Sequence, residues 1–257
     1  MATLLHMKSI KIKINLATYI FFLLSFLCGY FKNVLYIFLI VFIHELGHVI
    51  VIRAFKYKIV EVELYPFGGI TKIDKPLNSS LTKEAIIGIA GITMQLILGL
   101  FLNLTHPQDY QLLSFYNKTI LAFNLLPIIP LDGSVLFHTF LEKFFPYQKA
   151  YYGYQIFSIL CFFLFLLYNI VYQVDNYFIC AVLLYRVYIT WKNRPYLFHR
   201  FYLERMLYSF PYKKIENHRV DDLRVLKKET RHFFYQNNHY VSERQKIKEY
   251  LYKNRKA

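Results

Sequence analysis

Six long apolar stretches, separated by short polar links, run through this 257-residue chain. Each is close to the roughly 20 residues, or about 30 Å of helix, that cross the hydrocarbon core of a bilayer. The predicted spans lie near residues 14–31, 34–53, 86–104, 117–138, 154–172 and 176–191. Pro127 and Pro130 interrupt the fourth stretch, so we expect it to be the least regular helix. The pattern predicts a mainly α, polytopic membrane protein with six transmembrane helices.

One polar link has the two-residue period of a strand. Apolar and acidic side chains alternate over residues 60–64, and a proline and two glycines within residues 66–69 break the run before a second short apolar stretch. This pattern predicts a small membrane-associated β-hairpin over residues 59–73. A hairpin edge beside a catalytic site would bind an extended peptide by strand addition, and a simple connector is the alternative.

The composition and the placement of charge agree with a membrane protein. The chain is 56% hydrophobic and 19% aromatic, with a mean hydropathy of +0.29. With the N-terminus in the cytoplasm, 28 of the 31 Lys and Arg residues fall in cytoplasmic segments, as the positive-inside rule requires. We therefore predict a multi-pass protein of the cell membrane with both termini cytoplasmic. The three cysteines lie in predicted spans without a Cys-x-x-Cys pair, so neither a disulfide framework nor a thiolate zinc site is indicated.

Two domains are predicted: a six-helix membrane domain over residues 1–194 and a short, basic, cytoplasmic α/β tail over residues 195–257. Residues 192–257 carry 17 Lys and Arg against 7 Asp and Glu. This charge favours contact with anionic lipid headgroups, or with an acidic substrate or partner. No nucleic-acid-binding module is recognisable, so no specific nucleic acid is expected. Histidines of the tail without ligand spacing are interpreted as surface residues: His199, His218, His232 and His239.

The candidate chemistry lies in the second span, which contains His44-Glu-Leu-Gly-His48. Two histidines four residues apart project from one face of a helix, the spacing that holds one Zn²⁺. Glu45 lies beside them as a base that takes a proton from water. Ionisable groups in a membrane span are costly and mark function, so a chance occurrence of the motif is disfavoured.

A catalytic zinc usually has three protein ligands and one open position, so a third ligand is needed. Asp132 is the one carboxylate of the fourth span, where an aspartate costs roughly 2.5–3.5 kcal/mol to insert and zinc would offset that cost. Pro127 and Pro130 leave backbone carbonyls free near it. Gly133 permits close approach of a helix or a substrate. Asn124 either hydrogen-bonds the substrate backbone or makes an ordinary interhelical bond.

Taken together, the His44–His48 motif and the run from Asn124 to Pro130-Leu-Asp-Gly133 resemble the site-2 protease family of intramembrane zinc metalloproteases, peptidase family M50. The resemblance covers roughly residues 10–200. It implies one Zn²⁺ per chain held by His44, His48 and Asp132, with Glu45 as the catalytic base. It also implies a group of residues that face the substrate: Asn124, Phe67, Gly68, Gly69 and Pro130.

The loop Pro66-Phe-Gly-Gly69 and the cytoplasmic tail are similar to the sporulation branch of that family. This likeness implies regulated intramembrane proteolysis of the pro-sequence of a membrane-associated sporulation sigma factor. It further implies inhibitory membrane proteins as partners and a location in the outer forespore membrane, facing the mother cell. The third span departs from the family pattern Ala-Gly-Pro-x-x-Asn, since it reads Ala90-Gly-Ile-Thr-Met-Gln95. Residues 195–257 are shorter than the CBS domain of that branch and are interpreted as a truncated remnant of it.

Two alternatives remain open. One is a site-2 protease that acts on another substrate, such as an anti-sigma factor. The other is a non-proteolytic, zinc-dependent membrane regulator or transporter, which would have no need of Glu45 as a base. A serine protease is disfavoured because Ser134 has no recognisable paired base, and no phosphate-binding glycine loop is present.

Overall fold

The computed structural model describes residues 11–65, 68–172, 177–219, 222–236 and 239–254. The chain divides into two compact units. The first comprises the chain up to Lys75 together with Ile89–Phe123, and the second comprises Pro76–Gly88 and the chain from Asn124 onward. Each unit is described separately below.

The first unit combines apolar helices with a small sheet. Its elements are β1 (Lys11–Ile14), α1 (Leu16–Leu27), α2 (Phe31–Ala54), β2 (Lys58–Tyr65), β3 (Gly68–Asp74), most of α3 (Leu81–Thr105) and most of α4 (Tyr110–Leu125). The sheet order is β1-β2-β3, with β1 parallel to β2 and β2 antiparallel to β3. Strands β2 and β3 form the hairpin that the alternating pattern predicts, and Val62 pairs with Thr71 in its register.

Strand β1 was not predicted, because its residues were interpreted as a basic segment before the first span. Its polar groups pair with the acidic side chains of β2. Lys13 Nζ lies 2.5 Å from Glu61 Oε1, and Asn15 Nδ2 donates to Glu63 Oε1 at 3.1 Å. The hydrogen bond from Lys13 holds the pKa of the Glu61 carboxyl below its usual range. The alternating glutamates of the hairpin therefore have a structural role, which is to bind the N-terminal strand.

Three helices among the described residues are long and apolar enough to cross a membrane: α2, α3 and α6 (Tyr147–Val171). Apolar side chains on the outside of α6 are exposed, including Ile156, Phe163 and Leu167. Exposed apolar rows of this kind suit a lipid environment rather than water. Helix α1 is apolar but shorter.

The predicted fourth span, residues 117–138, is not one continuous helix. Helix α4 ends at Leu125, and α5 (Asp132–Phe144) begins after a six-residue link. Pro127 removes a backbone donor and restricts the residue before it, so the helix stops. The link packs closely on the start of α5, because a Cβ on Gly133 would lie 2.6 Å from the backbone oxygen of Leu126. Asp132 is therefore the first residue of a new helix, and the prediction of one helix over residues 117–138 was wrong.

The second unit joins α5 and α6 to the C-terminal elements. These are α7 (Tyr177–Lys192), α8 (Arg194–Leu207), β4 (Lys214–His218), a 3₁₀ turn (Leu223–Val225), β5 (Thr230–Gln236), β6 (His239–Ser242) and α9 (Glu243–Asn254). The sheet order is β4-β5-β6, with β4 parallel to β5 and β5 antiparallel to β6. Tyr147 of α6 stacks on Phe201 of α8 at a centroid distance of 4.0 Å. Phe234 and Ile247 complete this core, so the basic tail packs on α6 through apolar side chains.

Buried charges also hold the C-terminal elements in place. Lys228 Nζ lies 3.0 Å from Glu84 Oε2 and 2.9 Å from Glu142 Oε2, and all three side chains are buried. Burial alone would lower the pKa of Lys228, but the Glu142 and Glu84 carboxylates reverse that effect and raise it well above its ordinary value. Arg205 makes a second buried pair with Glu243, at 2.9 Å. Removing one member of a buried pair is strongly destabilising. Lys228 therefore fixes the tail on the start of α3 and the end of α5, and the Arg205–Glu243 pair joins α8 to α9.

The tail histidines were interpreted as surface residues, and for His232 this was wrong, because its side chain is fully buried. Its Nδ1 lies 2.8 Å from Nε2 of His218, and its Nε2 accepts a hydrogen bond from the backbone N–H of Lys227 at 3.0 Å. Strands β4 and β5 bring the two rings together, which spacing along the chain could not reveal.

Candidate active site

A close crossing of α2 and α3 builds the centre of the first unit. A Cβ on Gly47 would lie 2.5 Å from Met94 Cγ and 2.6 Å from the backbone oxygen of Ala90. Only a glycine at this position lets the two helices approach so closely. The crossing places one face of α3 against the His44–His48 face of α2, and Gly91 and Gln95 lie on that face.

His44 and His48 converge through their Nε2 atoms, which lie 3.1 Å apart. Both side chains are buried, and the rings meet edge to face with centroids 4.8 Å apart. Two Zn–N bonds of about 2.0 Å at a tetrahedral angle would place the nitrogens about 3.3 Å apart. A Cβ on Gly91 would overlap both imidazole rings, so this glycine leaves a hollow where they meet. The pair and its hollow fit a single zinc ion.

Gln95 lies behind this pair as a buried amide. Its Oε1 is 3.0 Å from Nδ1 of His44. The sequence singled out Gln95 only as a departure from a family pattern and did not predict this contact. One signal could have found it, because Gly91 and Gln95 are one helical turn apart and a buried amide in an apolar span is costly.

The predicted base Glu45 lies beside strand β3 of the hairpin. The Thr71 hydroxyl donates to Glu45 Oε2 at 3.4 Å. A Cβ on Gly69 would lie 2.6 Å from Glu45 Cδ, so the absence of a side chain there gives the carboxylate its room. Gly68 pairs with Tyr65 in the hairpin register, whereas Phe67 lies outside the described residues. The structure thus brings Glu45, Gly69 and the unpredicted Thr71 together.

The remaining predicted site residues belong to the second unit. Asp132 is half-buried at the start of α5. Asn124 is half-buried in the last turn of α4, and Pro130 is exposed in the link between the two helices. All three therefore lie in or beside the link between α4 and α5, where the prolines interrupt the helix.

Comparison with known sequences identifies similar proteins. The model for peptidase family M50 matches residues 32–107. The chain is 34% identical over 206 residues to Stage IV sporulation protein FB of Bacillus subtilis, covering 76% of this chain and 71% of that protein. It is 33% identical over 124 residues to a zinc metalloprotease of Methanocaldococcus jannaschii, covering 44% of this chain and 35% of that protein.

Comparison with solved structures also identifies a similar protease. The chain is similar to the site-2 protease from Methanocaldococcus jannaschii, with a TM-score of 0.55 and 25% sequence identity. The match covers 74% of this chain and 94% of the other. The residues matched by the family model include the His44–His48 motif, the hairpin and Gln95, whereas Asp132 lies beyond them.

Proposed function

Since the chain belongs to peptidase family M50, and is a zinc metalloprotease of the site-2 protease type, we propose that it performs regulated intramembrane proteolysis with one Zn²⁺ per chain. The observation that carries the proposal is the distance of 3.1 Å between His44 Nε2 and His48 Nε2. The two nitrogens meet at the hollow that Gly91 leaves, and Glu45 follows His44 directly in the same helix. Zinc metalloprotease relatives support the identity of the metal.

We propose Asp132 as the third ligand. Two neutral imidazoles and one carboxylate leave a single positive charge on the ion, which a hydroxide can neutralise, and this balance suits a low-dielectric site. The link before Asp132 contains two prolines, and the break lets a carboxylate stand at a helix start instead of inside an apolar helix.

Bound zinc would polarise the scissile carbonyl and activate a water molecule at neutral pH. Glu45 would take the proton of that water and pass it to the leaving amine. The Thr71 hydroxyl, which donates to Glu45 Oε2, would hold the carboxylate in position for both transfers. Gly69 keeps the approach to the carboxylate clear.

Strand β3 is a suitable place for the substrate to bind. It stands at the end of the sheet order β1-β2-β3, so among the described residues it pairs with β2 alone. An extended substrate would add to this edge, with Gly68 and Gly69 close to the scissile bond. A helical substrate must unwind first, because a regular helix keeps its carbonyls in internal hydrogen bonds. Asn124, Pro130 and Phe67 complete the proposed substrate-binding residues.

We propose six membrane spans with both termini in the cytoplasm, on the strength of the basic residues that flank the spans. The substrate we propose is the pro-sequence of a membrane-associated sporulation sigma factor, and inhibitory membrane proteins are the proposed regulators. The likeness to Stage IV sporulation protein FB supports this choice. We propose the outer forespore membrane, facing the mother cell, as the location.

The test is cleavage of a tagged pro-sigma fragment co-expressed with the wild type, Glu45→Gln or Glu249→Gln. Glu249 is an exposed residue of α9, so its replacement makes the same chemical change away from the site. We expect zinc in all three proteins and product from the wild type and Glu249→Gln only. Loss of a general acid–base should lower the rate by about 10²–10⁴-fold. Full activity in Glu45→Gln would refute the mechanism. Cleavage of an anti-sigma factor but not of the pro-sigma fragment would refute the proposed substrate alone.

A further inference from the structure

Gln95 is a polar residue at a position where burial of its amide is unfavourable. Its side chain is fully buried in α3, a helix apolar enough to cross a membrane. Its Oε1 contacts Nδ1 of His44 at 3.0 Å, and within the described part of the chain its Nε2 has no hydrogen-bond partner. A buried donor without a partner destabilises the fold, so a leucine would suit this place better. The amide is therefore explained by its contact with His44 and not by stability.

The contact selects one form of the histidine ring. A neutral imidazole carries its proton on either Nδ1 or Nε2, and an amide oxygen can only accept a hydrogen bond. Gln95 Oε1 beside Nδ1 favours the form with the proton on Nδ1, which donates to the oxygen. The lone pair then lies on Nε2, the atom that faces Nε2 of His48. Outer hydrogen bonds of this kind fix the ring orientation of a metal ligand and raise its basicity.

The position of Gln95 is itself held by the fold. Asn117 of α4 is buried, and its Nδ2 donates to the backbone oxygen of Gln95 at 3.0 Å. The crossing at Gly47 holds the same helix against α2 one turn earlier. Contacts on two sides of α3 therefore set the distance between the amide and the ring of His44.

We propose that Gln95 is a positioning residue that fixes the proton of His44 on Nδ1 and thereby prepares Nε2 to bind zinc. The proposal rests on the proposed zinc site and adds to it a residue outside the ligand set. It predicts that the amide controls metal affinity, although it touches neither the substrate nor the reacting atoms.

The test compares Gln95→Leu, Gln95→Glu and Gln155→Leu with the wild type. Zinc affinity is measured by competition with a chelating dye, and thermal stability is measured on the metal-free proteins. Gln155 of α6 is a matched control, because it is also buried and its amide has no hydrogen-bond partner among the described residues. We expect Gln95→Leu to bind zinc about 10- to 100-fold more weakly, with equal or higher thermal stability. Gln155→Leu should keep the wild-type affinity.

Gln95→Glu retains an acceptor oxygen in either protonation state and should stay within a few-fold of the wild-type affinity. A leucine variant with wild-type affinity would overturn the proposal, as would equal losses in Gln95→Leu and Gln95→Glu. Weakened zinc binding in Gln155→Leu would overturn it too, since the effect would not be specific to His44. Absence of zinc from the wild type would instead refute the proposed metal site.

Discussion

Two histidine pairs bring their ring nitrogens within hydrogen-bonding distance, and they differ in what lies behind the rings. In helix α2, Nε2 of His44 and Nε2 of His48 lie 3.1 Å apart. In the sheet of the second unit, Nε2 of His218 and Nδ1 of His232 lie 2.8 Å apart. The second pair even has a carboxylate nearby, since Glu216 Oε2 is 3.7 Å from His218. By residue types alone, both are candidates for a metal ligand set.

The two pairs differ in the group that contacts the ring nitrogen facing away from the other histidine. An acceptor, Gln95 Oε1, lies behind His44, whereas a donor, the backbone N–H of Lys227, lies behind His232. The lone pair of His232 is therefore on Nε2, which faces Lys227, and the proton is on Nδ1, which donates to His218 Nε2. Burial, with the positive charge of Arg205, lowers the pKa of His232 to about 3, so the ring stays neutral. Nδ1 of His232, the nitrogen that faces His218, cannot bind a metal while it carries that proton.

The groups behind a histidine pair therefore decide whether its nitrogens are prepared for a metal. Glu216 supports the same conclusion, because its Oε1 already pairs with Lys227 Nζ at 3.0 Å. The second pair is a structural feature of the tail sheet. The first belongs to the catalytic proposal.

The largest expected effect comes from removing one ring of each pair. His44→Ala should lose bound zinc almost completely and cleave at background level, because one of about three protein ligands is gone. His218→Ala should keep the wild-type zinc content and cleave normally. Metal analysis of the purified proteins checks both results. Zinc lost from His218→Ala and kept by His44→Ala would reverse the comparison.

A smaller loss is expected when the hollow of the first pair is filled. Gly91→Ala adds a methyl group that overlaps both imidazoles. The added methyl group would push the rings out of the geometry that holds one ion. If the whole cost of overpacking, typically about 1–3 kcal/mol, falls on the zinc-bound form, zinc affinity drops by about 5- to 150-fold. Gly153→Ala is the control, since a Cβ there would make an ordinary contact of 3.4 Å with Leu141. Equal affinities for the two variants would show that the hollow is not a metal position.

The pair formed by His218 and His232 should make the free energy of unfolding depend on pH. The folded pKa of His232, about 3, lies below its unfolded value of 6.5. The unfolded chain therefore binds more protons than the folded chain between these values, and stability falls as the pH drops through that window. From pH 7 to pH 5 we expect this residue to contribute a loss of about 2 kcal/mol. Denaturant unfolding at the two pH values measures it.

His232→Leu should remove this part of the pH dependence, whereas His239→Leu, at an exposed position of β6, should retain it. Zinc affinity should not change in either protein. An unaltered pH dependence in His232→Leu would contradict the assignment of a buried, neutral ring.

Local patterns in the sequence predicted the parts of this molecule that depend on nearby residues. The four-residue spacing of His44 and His48 and the alternation in the hairpin are both local, and the structure contains the helix and the hairpin. The contact of Gln95 with His44 joins residues 51 positions apart. The one-turn spacing of Gly91 and Gln95 marks a face of α3, but no periodicity shows which residue of α2 that face contacts.

Long-range pairing explains the other misses as well. Strand β1 exists because β2 offers it a parallel edge and two glutamates, which lie far along the chain. His232 is buried because strand pairing brings β4 and β5 together. The prolines of the fourth apolar stretch were recognised, but their full effect was underestimated. They end α4 completely and leave Asp132 to begin α5.

Lys228, the buried lysine two residues before β5, links elements that lie far apart in the chain. Glu84 lies in the first turn of α3 and Glu142 in the last turns of α5, and both carboxylates pair with Lys228. The tail thus supplies an internal counter-ion to two helices that precede it in the chain. Lys228 must therefore be in place before the start of α3 and the end of α5 reach their final electrostatic balance.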